Sequence, residues 1–164
     1  MIRGTLTVVL GATGIGKTQL GMHFAQQGLL QEGERGVIFD MTARGDSQNH
    51  RDYARQLFGW DLREFPVDVP IDQTEVWNKA SIRSDCIHVF RHSGRRVTKS
   101  DLEDEDWREW KIELTRKLGT TVIFLYGNFV HGVRRCVIDG IEPATNPDYS
   151  WSCKQNGLRG RLMC

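Results

Sequence analysis

Gly11-Ala12-Thr13-Gly14-Ile15-Gly16-Lys17-Thr18 places two glycines five residues apart, with Lys-Thr directly after the second. This stretch decides the fold, because each position answers a demand of phosphate chemistry. Glycines permit the tight path on which several backbone N–H groups turn inward around phosphate oxygens. A helix starting near Lys17 adds unsatisfied N–H groups and the positive end of its dipole. Lys17 is long enough to reach β- and γ-phosphates, and the Thr18 hydroxyl is placed to ligate Mg²⁺. The candidate nucleotide contacts are therefore Gly11, Ala12, Thr13, Gly14, Ile15, Gly16, Lys17 and Thr18. The competing reading is a glycine-rich turn before a helix that holds no nucleotide.

The flanks agree with the first reading. Leu6-Thr7-Val8-Val9-Leu10 is a short β-branched run closed by Gly11 and predicts a buried parallel strand. Thr18–Leu30 reads as a helix with Leu20, Phe24 and Gln27 along one face. After the turn at Gln31–Gly36, Val37-Ile38-Phe39 predicts a second strand ending at Asp40. This is a βαβ unit, so the class is α/β with a mostly parallel sheet flanked by helices.

Farther on, Arg44–His50 reads as loop and Arg51–Phe58 as a helix with Tyr53, Leu57 and Ala54 inward. Gln73–Arg83 is a helix candidate and Cys86–Phe90 a strand. Arg91, Arg95, Arg96 and Lys99 make a basic turn. Ser100 with Glu103 then fits a capping box opening a helix to about Leu118. Its stripe of Trp107, Trp110, Leu114 and Leu118 reads as core packing. Thr120–Val133 stays open between strand, by composition, and buried helix, by length. Cys136-Val137-Ile138 predicts a strand ending at Asp139. The nucleotide-binding domain is expected over 1–141, with 142–164 an extended or disordered tail.

A phosphate-loop protein needs a second acidic residue at a neighbouring strand end to orient Mg²⁺. Asp139 is the candidate; alone, it would read as an ordinary turn aspartate. Lysine plus arginine balance aspartate plus glutamate to a formal charge of +1. The overall field thus neither calls for a nucleic-acid partner nor excludes one. No apolar run is long enough to span a bilayer, and Leu6–Leu10 is too short for a signal-peptide core, so a cytoplasmic protein is expected. The cysteines form no Cys-x-x-Cys pair, which argues against a disulfide framework. Cys86, His88 and His92 would suit a metal only on a helix, and Ile87–Phe90 reads as strand.

Taken together, Gly4–Leu10 with the phosphate loop, Gly33–Phe39, Phe58-Gly59-Trp60-Asp61-Leu62 and Val133–Asp139 resemble the RecA-like ATPases of the KaiC type. The resemblance implies a RecA-like P-loop NTPase fold, ATP and Mg²⁺ as ligands, and a homo-oligomer or a protein partner. If the chain is active, the reaction is phosphoryl transfer to water. Family members usually carry two glutamates at the end of the second strand, one of which activates water. Here those positions hold Asp40 and Met41, so Asp40 is the catalytic candidate beside Lys17, and weak hydrolysis is expected. The family's strand after Asp139 is not evident in the tail, which suggests a shortened or incomplete form. Arg134 and Arg135 are candidates for a basic residue offered to a neighbouring subunit's nucleotide. The alternatives are a non-catalytic regulatory or interaction protein, a fragment of a longer chain, and a DNA-binding recombinase-like protein using the Arg91–Lys99 turn.

Overall fold

A computed structural model describes residues 4–42, 50–68, 71–90 and 102–141. Strands β1 (Val37–Asp40), β2 (Glu64–Phe65), β3 (Cys86–His88) and β4 (Cys136–Asp139) form a parallel sheet in the order β2-β3-β1-β4. The helices are α1 (Lys17–Glu32), α2 (His50–Phe58), α3 (Lys79–Ile82) and α4 (Asp104–Val130), with a 3₁₀ turn at Gln73–Trp77.

Because side chains alternate along a strand, β1 feeds two cores. Ile38 packs with Met22, Ala25, Ala54, Trp60 and Leu62 on the side of α1 and α2. Val37 and Phe39 pack with Phe65, Ile82 and Phe124 on the side of α3 and α4. Helices thus cover both faces, as a parallel sheet requires.

Glycines, not the larger apolar residues, set how close α1 lies. A Cβ on Gly21 would sit 2.8 Å from Val137 Cγ1, and one on Gly28 would sit 2.5 Å from the Glu34 carbonyl oxygen. The buried face of α1 is accordingly Met22, Ala25 and Gly28, whereas the expected Leu20 is exposed. On α2, similarly, His50 and Ala54 are buried and Leu57 is exposed.

Thr120–Val130 resolves as helix, with a turn at His131–Gly132: α4 is a single element of 27 residues whose buried positions are Thr120, Phe124, Gly127 and Asn128. Its expected core stripe lies elsewhere. Trp107 and Trp110 stack on each other at 5.0 Å without being fully buried, and Leu118 is exposed. The helix begins at Asp104 with Glu103 at the cap position, and Ser100 lies outside the described residues.

A buried polar network ties Trp60 and Arg63 to Arg83 and Asp85. Arg83 and Asp85 are buried at 4% and 3% side-chain exposure and bridge at 3.1 Å. Asp85 also accepts from the Arg63 side chain and backbone and from the Trp60 indole. Arg83 donates to the Ser84 and Arg35 carbonyls, to Asn128 and to Glu34. Nearly every donor and acceptor is matched, the condition on which buried charges are tolerated.

The expected strand Leu6–Leu10 is not one here. Residues 5–10 pair with no strand among the described residues, and Leu6 and Leu10 are 77% and 84% exposed. The physical reason is the sheet order. Among the described residues β4 is an edge, with no further strand beside it to carry a ladder out to residues 6–10.

Candidate functional site

The sheet's register builds the site. Asp40 pairs with His88 of β3 on one side and with Asp139 of β4 on the other. Three chemistry-bearing residues therefore stand in one row at the carboxyl ends of adjacent parallel strands, the usual place for ligands in α/β sheets. By alternation they share the face of Ile38, Cys86 and Val137, over which α1 and α2 lie. Thr18 in the first turn of α1 and His50 at the start of α2 close down on this row.

The contacts form a chain across the row. Thr18 Oγ1 donates to Asp139 Oδ2 at 2.7 Å, and His50 Nε2 lies 3.0 Å from the same oxygen. His50 Nδ1 faces Asp40 Oδ2 at 3.6 Å, and His88 Nδ1 meets that oxygen at 2.7 Å. The other Asp40 oxygen accepts from the Thr42 backbone N–H at 2.9 Å and from its hydroxyl. His88 Nε2 turns toward Glu64 Oε1 at 3.7 Å.

Burial alone would raise the Asp40 pKa. The bonds from His88 and Thr42 outweigh it and hold the carboxyl down at about 2. Asp139 is likewise kept below the usual aspartate range: burial opposes this, but the bonds from His50 and Thr18 prevail. His88 is raised above its ordinary value, chiefly by its bond to Asp40. Asp40 therefore keeps its charge at neutral pH and holds a proton poorly, a weak position for a general base.

The loop at Gly11–Gly16 is turned by left-handed Gly14 and Gly16, the second capping α1. Gly11 through Ile15, with Ala12 and Thr13, are solvent-exposed. Lys17 Nζ folds back over the loop and donates to the Gly11 and Ala12 carbonyls at 2.8 and 2.7 Å. An ammonium held at the loop's own mouth is available to a phosphate that offers stronger acceptors.

Arg135 is anchored on α1, bonded to Glu32 and the Phe24 carbonyl and lying over the Phe24 ring. Arg134 is exposed and donates to the carbonyls of Phe129 and Val133. Cys86 Sγ approaches His88 Nε2 at 4.0 Å, while His92 and the Arg91–Lys99 turn lie outside the described residues. No helix among the described residues is long and apolar enough to cross a membrane.

Of the residues expected from the sequence, the structure brings Thr18, Asp40 and Asp139 together, and it adds two that were not expected beside them, His88 in the row and His50 above it. His88 carried a signal: it falls in the middle of the expected strand Cys86–Phe90, on the same face as Cys86, and the structure ends that strand at His88. His50 carried almost none, since it was read as the last residue of a polar loop.

The family model described as ATPase: KaiC matches residues 1–148. No curated protein and no solved structure matches the chain.

Proposed function

The chain belongs to the KaiC ATPase family, and from its nucleotide-binding, ATPase-type domain of RecA-like fold we propose Mg²⁺-dependent ATP binding at Gly11–Thr18 with slow hydrolysis. One observation carries this reading: the 2.7 Å contact between Thr18 and Asp139. A hydroxyl and a carboxylate side by side at the start of the helix after the loop are hard oxygen donors, the set that suits Mg²⁺. Thr18 and Asp139 are the residues that would hold the ion, directly or through water. When bound, Mg²⁺ neutralises charge on the β- and γ-phosphate oxygens.

The rest of the chemistry falls to the chain itself. The loop's N–H groups and the start of α1 bind the phosphates, and Lys17 exchanges its two carbonyl acceptors for phosphate oxygens. Asp40 is the carboxylate offered for water positioning. With its oxygens engaged by Thr42 and His88, it is a poor proton acceptor, which supports binding over turnover. A homo-oligomer is part of the proposal, with the exposed Arg134 the better placed of the arginine pair to meet a neighbour.

Calorimetric titration of the folded chain with ATP and Mg²⁺, with Lys17→Ala as control, tests this reading. Saturable binding that the substitution abolishes supports it. Absence of binding by the unmodified folded chain removes the nucleotide role and leaves a scaffold with a regulatory or interaction function.

A further inference from the structure

We propose that Asp40, His50 and His88 form a binding site for a transition-metal dication of borderline softness, Zn²⁺ in the first instance, separate from the nucleotide's Mg²⁺. The ligand atoms of the three residues all lie within 4.8 Å of one another. His50 Nδ1 and His88 Nδ1 converge on one atom, Asp40 Oδ2, at 3.6 and 2.7 Å. Tetrahedral zinc with bonds of about 2.0–2.1 Å holds its ligand atoms about 3.4 Å apart, between these two spacings.

The outer contacts are those a metal site needs. A ligating histidine donates its second ring N–H to a carboxylate, which fixes the tautomer and aims the free lone pair. His50 turns Nε2 to Asp139 at 3.0 Å, and His88 turns Nε2 to Glu64 at 3.7 Å. Asp40 has its remaining oxygen fixed by Thr42. His50 and Asp40 are thus fixed from behind, while His88 is held by its 2.7 Å bond from Nδ1 to Asp40 Oδ2, and a metal bound there would displace that shared proton to solvent.

His50 supplies the independent observation. Its side chain is 2% exposed, and Nδ1 is a buried polar atom with no hydrogen-bond partner. With the Nε2 proton on Asp139, the Nδ1 lone pair would face the Asp40 carboxylate, a repulsive pairing in a site shielded from water. A cation between them relieves it. The candidates are a second proton on His50 or a metal ion. A proton satisfies His50 alone, whereas a metal uses the convergence of all three residues. Two imidazoles and one carboxylate, with a fourth position left over, suit zinc better than Mg²⁺ or Ca²⁺, which take oxygen sets.

The test uses the full chain, stripped with chelator and free of nucleotide and Mg²⁺. Calorimetric titration with Zn²⁺ is expected to show one equivalent bound per chain. His50→Gln and His88→Gln should each weaken it by about 100-fold. Lys17→Ala should leave it unchanged, separating this site from the phosphate loop. So should His131→Ala, whose ring bonds the Val76 carbonyl elsewhere. If the substituted chains do not fold, Co²⁺ added to the unmodified chain reads the site directly. Intense visible bands of a tetrahedral centre without thiolate charge transfer are expected. The proposal is overturned by no saturable Zn²⁺ binding in the folded chain, by binding indifferent to both histidines, or by a thiolate-type Co²⁺ spectrum.

Discussion

Replacing Arg83 with Met keeps most of the side chain's bulk and removes its charge and donors. Arg83 is buried and serves Asp85, Asn128 and the carbonyls of Ser84 and Arg35. Removing one partner of a buried ion pair costs about 3–5 kcal/mol when the other charge is stranded. Asp85 is not wholly stranded, because Arg63 still reaches both of its oxygens. The loss is then mainly three acceptors, two buried and one part-buried, at about 1 kcal/mol each, with weakened ion pairs to Asp85 and Glu34 besides. The expectation is about 3–4 kcal/mol, a large part of the roughly 5–15 kcal/mol that holds a domain together. Arg63→Ala is the control. That side chain is 57% exposed, so its ion pair is worth about 1 kcal/mol or less after screening. Urea denaturation should show a lowered midpoint at unchanged slope for Arg83→Met.

The difference should also depend on pH. Burial pushes the Asp85 carboxyl up, but Arg63's bonds and the charges of Arg63 and Arg83 hold it below its ordinary 3.8. A depressed carboxylate stabilises the fold above 3.8, and the contribution fades as pH falls through its lower folded value. The gap between Arg83→Met and the unmodified chain should therefore be full near neutrality and narrow in acid. An unfolding free energy within about 1 kcal/mol of the unmodified chain, a loss matched by Arg63→Ala, or a gap that ignores acid would refute the reasoning.

Gly127→Ala should destabilise by about 1–3 kcal/mol in the same assay, because its Cβ would sit 2.2 Å from Ile82 Cγ1. Gly119→Ala on the same helix meets nothing within 4 Å and should stabilise by up to about 1 kcal/mol. Burial raises the Cys86 thiol well above its ordinary value and the Cys136 thiol to about 11. Peptide mapping after iodoacetamide treatment at pH 7.5, a condition chosen at about neutrality, should find both unmodified in the folded chain and both labelled in urea. Asp139→Asn should weaken ATP binding in Mg²⁺ by about tenfold or more while leaving Mg²⁺-free binding nearly unchanged, as paired calorimetric titrations would show.

Where local chemistry and tertiary need coincide, the sequence was legible. Glycines at Gly14 and Gly16 announce a left-handed turn wherever it lies, and Val37–Phe39 is apolar on both faces because both are covered. Asp139 was legible only by logic: a phosphate loop asks for an acid at a nearby strand end. The helical face of α1 was misread because its close side is defined by absent side chains at Gly21 and Gly28, which an apolar stripe does not show. The two histidines were missed for a different reason. They stand 38 residues apart in sequence (His50 to His88): the pairing of β1 with β3 brings His88 to Asp40, and the packing of α2 over β1 brings His50. Leu6–Leu10 has strand composition, yet composition does not supply a neighbour to bond, and none stands beside it among the described residues.

The row His88, Asp40, Asp139 has a spacing that no side chain chooses. Adjacent strands stand about 4.8 Å apart because amide bonds set that pitch. The three functional groups are mounted on the backbone ladder itself. Exchanging one residue type for another at these positions alters the chemistry on offer without altering the mounting. Conversely, the row can spread only if the ladder breaks. Slow amide exchange at the centre of β1 and retention of ligand affinity should therefore be lost together, as one event, during unfolding.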